Sequence, residues 1–64
     1  MNKEKTIFLD TCTFVVVYRL FVYNDMLQVD LQQVRCLGNE FNIVYHLSKE
    51  AITHIKETIL EELI

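Results

Sequence analysis

The sequence predicts an α+β fold: an antiparallel β-meander of three strands, or four with an N-terminal strand at Lys5–Leu9, and one C-terminal helix packed on a face. Three observations carry that prediction. A run of β-branched and aromatic residues fills 13–23, turn signals follow it at Asn24-Asp25 and Gly38-Asn39, and a helical apolar period begins after Ser48.

The segment Thr13–Tyr23 alternates on both faces. Phe14, Val16, Tyr18, Leu20 and Val22 point one way, and Val15, Val17, Phe21 and Tyr23 the other, with Thr13 and Arg19. Both sets are largely apolar, as in a strand covered on two sides. Asn24 and Asp25 tolerate the positive φ angles of a tight hairpin turn. Folding back there sets Val22 against Leu27, Leu20 against Val29, Tyr18 against Leu31, and Arg19 against Asp30. The apolar phase of Leu27, Val29 and Leu31 then switches to Val34 and Cys36. An extra residue at Gln32-Gln33, a β-bulge, returns both sets to one face. The rival reading of Met26–Leu37 is a helix with Asp25 and Gln28 as a capping box and Gly38 as its stop. Asp30 would lie on the apolar side of that helix, so the strand is preferred.

Gly38-Asn39 reads as a second hairpin turn, with Cys36 facing Phe41 and Val34 facing Ile43. Leu37–Leu47 is then a further strand with Phe41, Ile43, Tyr45 and Leu47 inward. Ser48 is a natural N-cap, and Leu47 with Ile52 fits a hydrophobic staple. Ile52, Ile55, Ile59, Leu60 and Leu63 share one helical arc, with Glu50, His54, Glu57 and Glu61 opposite. A helix from Lys49 to about Leu63 follows.

Length and composition narrow the function. The chain has 64 residues, 52% of them apolar, with one Gly, no Pro and a net charge of −3. That is enough for one domain and too apolar for disorder. A phosphate-neutralising surface needs a basic stripe. Lys3, Lys5, Arg19, Arg35, Lys49 and Lys56 are scattered among nine acids, which disfavours nucleic acid. Asp10 and Arg19 interrupt the apolar stretch 7–23, so no membrane span is expected. The start of the chain lacks a signal-peptide cleavage pattern. A cytoplasmic protein with reduced Cys12 and Cys36 is the expectation.

Catalytic and metal chemistry find little support. His54 with Glu50 and Glu57 shares a helix face and could touch a cation, but that pattern fits a solvated face equally well. His46 is expected in the further strand with a structural role. Neither cysteine has the cationic surroundings of a reactive thiol, and one glycine cannot build a phosphate cradle. No catalytic residue, metal ligand or cofactor is therefore assigned.

Ile7-Phe8-Leu9-Asp10-Thr11-Cys12 resembles the opening strand of PIN-type nucleases, in which a hydrophobic strand delivers Asp followed by Thr or Ser to a metal. The resemblance spans six residues. It implies further carboxylates from later elements, for which only helix residues such as Glu57 or Glu61 are available. A chain of this length does not assemble that site, and a bend at Asp10-Thr11 ending an N-terminal strand accounts for the same residues.

Two surfaces point to binding. A single helix covers one face of a sheet, leaving Val15, Val17, Phe21 and Tyr23 exposed to a partner. The helix also ends in Glu61-Glu62, negative charge at the negative end of its dipole, followed by Leu63 and Ile64. The expected interface is Val15, Val17, Phe21, Tyr23, Leu60, Leu63 and Ile64 in a homodimer. Glu57, Glu61 and Glu62 would meet a second protein, as in a small inhibitor or adaptor. The rivals are a nucleic-acid-binding dimer and a small enzyme subunit using Asp10, Cys12 or His46 at its interface.

Overall fold

The computed structural model describes residues 2–9 and 11–63. Strand β1 (Lys3–Leu9), strand β2 (Cys12–Tyr23) and strand β3 (Met26–Cys36) precede a 3-10 turn at Val44–His46 and helix α1 (Lys49–Glu62). The strands form one antiparallel sheet in the order β1-β2-β3. This is the expected α+β meander, with one change of membership. The N-terminal strand is one of the three, and Leu37–Leu47 is not.

Both hairpins turn on residues with positive φ. Asn24 and Asp25 lie at 52° and 61°, the left-handed pair that matches strand twist. Thr11 lies at 63°, an uncommon place for a β-branched side chain. Asp10, beside it, lies outside the described residues. The β2–β3 register places Val22 opposite Leu27, Leu20 opposite Val29, Tyr18 opposite Leu31 and Arg19 opposite Asp30, as the alternation requires. Val17 then pairs with Gln33, so Gln32 is the extra residue of a bulge. The bulge puts Val29 and Val34, 4% and 0% exposed, into a single core.

That core contains Ile7 from β1, Phe14, Val16 and Tyr18 from β2, Val29 and Val34 from β3, Val44, and Ile55 and Ile59 from α1. The helix starts where Ser48 Oγ accepts a hydrogen bond from the Ala51 amide at 3.1 Å. Its apolar arc buries Ile55 and Ile59 completely, with Ile52 and Leu60 half-buried beside them.

The segment after β3 departs from the expected strand. Gly38, at φ 85°, turns the chain. Asn39 Oδ1 accepts from the Phe41 amide, a local turn in place of a ladder. Asn42 Oδ1 then accepts from both Val34 N (3.0 Å) and Val44 N (3.1 Å). A side chain thus occupies the place of a strand carbonyl on the outer edge of β3. One backbone bond, from Ile43 N to Val34 O, keeps these two residues adjacent as expected. The inward set is therefore Ile43, Val44 and Leu47. Phe41 and Tyr45 point to solvent, 76% and 91% exposed. His46 sits exposed in the 3-10 turn.

Asn42→Ala leaves the amide of a fully buried valine unpaired, and is expected to cost about 1–3 kcal/mol in urea unfolding. Asn42→Asp, which keeps an acceptor, should lose less. Asp25→Gly should raise stability by about 0.5 kcal/mol, because glycine relieves the left-handed strain at the second turn position.

Candidate functional site

The residues expected at an interface fall on three surfaces with different properties. On the sheet face away from α1, β2 presents Val15, Val17, Arg19, Phe21 and Tyr23. Their cross-strand neighbours there are Glu4 and Thr6 from β1, and Met26, Gln28, Asp30, Gln33 and Arg35 from β3. Val15 is only 4% exposed, flanked by Thr6 and Arg35 in register. It offers little surface to a partner, and the more exposed of the expected contact residues are Phe21 and Tyr23. A central-strand valine flanked on both sides, here by a threonine and an arginine, is shielded by its own sheet. Val17 is half-buried.

Apolar exposure rises where β1 stops. Lys3 pairs with Tyr18 at the end of the β1–β2 ladder, so residues 19–30 form a two-stranded extension. At its end Phe21, Val22, Tyr23, Met26 and Leu27 are 43%, 69%, 64%, 63% and 43% exposed. Phe21, Tyr23 and Met26 lie on the outer face, whereas Val22 and Leu27 lie on the helix side. The helix's cover therefore ends between Val29, which is buried, and Leu27. The extension gives the molecule its long dimension, with principal extents of 35 × 22 × 20 Å. Alternation alone did not reveal that both faces of this arm are open, since that depends on where β1 and α1 end.

The third surface is the end of α1. The helix has no basic residue in its last turn, yet Lys5 of β1 forms an ion pair with Glu62. A cation for the acidic helix end thus comes from the same chain. Glu57 and Glu61 remain on the exposed side. Leu60 is half-buried against the core and Leu63 is 45% exposed. Ile64 lies outside the described residues.

Groups with chemical potential are dispersed. Cys12 and Cys36 are free thiols, the first exposed and the second half-buried. An open depression is lined by Lys49, Glu50, Thr53, His54 and Glu57, all from α1, so no second element faces them. Among the described residues no three His, Cys, Asp or Glu side chains come together as a metal site. Among the same residues no helix is long and apolar enough to cross a membrane.

Glu62→Gln removes a partly solvated ion pair between β1 and α1. The expected loss is below about 1 kcal/mol, and it should shrink as salt is raised in thermal or urea unfolding.

No protein-family model matches the chain, and no curated protein or solved structure matches it either, so its surfaces are the ground for any reading of its role.

Proposed function

We propose that the chain is a non-catalytic protein–protein interaction module that works as a homodimer and presents its remaining acidic and aromatic surface to another protein, as an inhibitor or adaptor would. The observation that carries this reading is the end of the β2–β3 hairpin, where five large apolar side chains stand exposed on both faces. Contiguous apolar surface of that kind marks association sites on small proteins. Burying one such side chain fully is worth about 1.5–3 kcal/mol. Half-covering ten of them across a two-fold axis would contribute on the order of 10 kcal/mol, against an association cost of about 4–15 kcal/mol. The balance is close, at best about −6 kcal/mol or a Kd of tens of micromolar, which suits a weak, concentration-dependent dimer rather than a permanent one.

The acidic side of α1, with Glu57 and Glu61, stays free in such a dimer and favours a basic surface on the second protein. Glu62, held by Lys5, contributes less. Phe41 and Tyr45 supply the aromatic part of that surface. Two free thiols, one of them exposed, suit a reducing compartment such as the cytoplasm.

Light scattering tests the dimer directly. At hundreds of micromolar the expected mass approaches twice 7.6 kDa. Phe21→Asp should return the monomer mass with an unchanged circular dichroism spectrum, because Phe21 is outside the core. A wild-type chain that stays monomeric up to hundreds of micromolar overturns the reading.

A further inference from the structure

The hairpin end has an open edge as well as open faces, and the two sheet edges proper are treated differently from it. Along β1 the exposed edge carries Lys3, Glu4 and Lys5, charges of the kind that deter strand pairing. Along β3 the edge carries Asp30 and Arg35, is interrupted by the bulge at Gln32 and is capped at Val34 by Asn42 and Ile43, so its bare stretch is confined to residues 26–29. The β2 edge from Leu20 to Tyr23 has no charge, proline or bulge, and no loop among the described residues covers it. Alternate residues of a strand aim their backbone groups to the same side. Thr13 O accepts from Leu37 N on the β3 side. The even-numbered residues of β2 therefore face β1, and beyond Tyr18 the amide and carbonyl groups of Leu20 and Val22 face the space β1 leaves open.

We infer that a second copy of this chain pairs antiparallel with this edge, about a two-fold axis at Val22. The inference rests on the homodimer reading and specifies its geometry. Outward-facing residues must meet outward-facing residues, so the axis passes through Phe21 or Val22. With the axis at Phe21, the second copy's Asn24–Asp25 turn would run into Lys3 at the end of β1. With the axis at Val22, that turn stops about one residue short. Val22 then exchanges two backbone hydrogen bonds with its counterpart. Phe21 faces the second copy's Tyr23 on the outer side, and Tyr23 faces its Phe21, an aromatic pairing repeated by symmetry. The charges fit as well. Arg19 is already paired with Asp30 at 3.1 Å within the chain. The second copy's Asp25 arrives beside Lys3, and the reverse contact forms at the other end. No like charges are brought opposite each other.

Cross-linking in a Cys12→Ser, Cys36→Ala background reads the register. Hydrogen-bonded antiparallel partners lie about 5.5 Å apart between Cα atoms, within disulfide range. Val22→Cys should therefore give a covalent dimer on mild oxidation. Phe21→Cys, two positions out of step with its counterpart, should link at least tenfold more slowly. Hydrogen exchange on the wild-type chain adds a readout that needs no substitution. The Val22 amide should slow at least tenfold as concentration is raised through the association range. A dimer by light scattering without the Val22 link, or with unchanged Val22 exchange, overturns this edge pairing and leaves the homodimer standing. Faster linking at Phe21 than at Val22 overturns the axis position. A monomer at all concentrations removes both.

Discussion

The fold depends on the bulge that absorbs a single extra residue, Gln32. Were Gln32 paired with Val17 in a regular ladder, Val34 and Cys36 would turn to the outer face while Gln33 and Arg35 turned inward. Val34 is fully buried among Ile55, Ile59 and Val16, and its backbone amide and carbonyl hold Asn42 and Ile43. The helix seat and the connection leading to it both depend on that placement. The bulge is supported from the polar side. Gln32 Nε2 donates to Asp30 Oδ2 at 2.6 Å, and Arg19 donates to the same oxygen from across the ladder. Single surface ion pairs contribute little stability, but this three-residue cluster favours one register over its neighbours.

The open arm follows from element lengths. A 14-residue helix rises about 20 Å, whereas the 12 residues of β2 extend about 35 Å, with both lengths set by the element bounds. One helix across the sheet cannot reach its far end, and β1, with seven residues, stops at Tyr18. The apolar surplus in the composition is thus placed by geometry. Where helix and short strand overlap, β2 is buried on the core side and shielded on the other, as Val15 shows. Past that overlap the same alternation of Phe21, Val22 and Tyr23 meets solvent.

Much of this was legible in residue order, and the exceptions have physical causes. The β2–β3 turn, its register, the bulge and the capped helix each combine a local turn or cap signal with a period, and two signals agreeing leave few alternatives. The region after Cys36 misled because Phe41, Ile43, Tyr45 and Leu47 alternate like a strand. Asn39 and Asn42 outcompete the ladder there by bonding backbone amides with their side chains, an effect that apolar period does not register. Lys5 with Glu62 was unreadable for another reason. An ion pair between the first strand and the last helical turn appears only once the core has set how the two elements cross. For the proposed interface, the sequence pointed to the outer face of β2, while the burial of Val15 moves the weight to Phe21 and Tyr23.

The arm also separates association from folding. Val29 is the core residue of β3 nearest the turn, and none of Phe21, Val22, Tyr23, Met26 or Leu27 belongs to the buried cluster. A monomer therefore keeps every buried contact of its core with the arm uncovered. This differs from obligate dimers, whose protomers lack a complete core and whose stability cannot be divided from concentration. It is also consistent with edges left bare only in the arm, while β1 and the core half of β3 are protected. Removing charge from a folding edge invites misassembly during folding, but an edge that lies outside the core can stay open without endangering the rest of the sheet. In the proposed homodimer, the exposed side chains of Phe21, Val22 and Tyr23 would serve as a contact on an already folded domain.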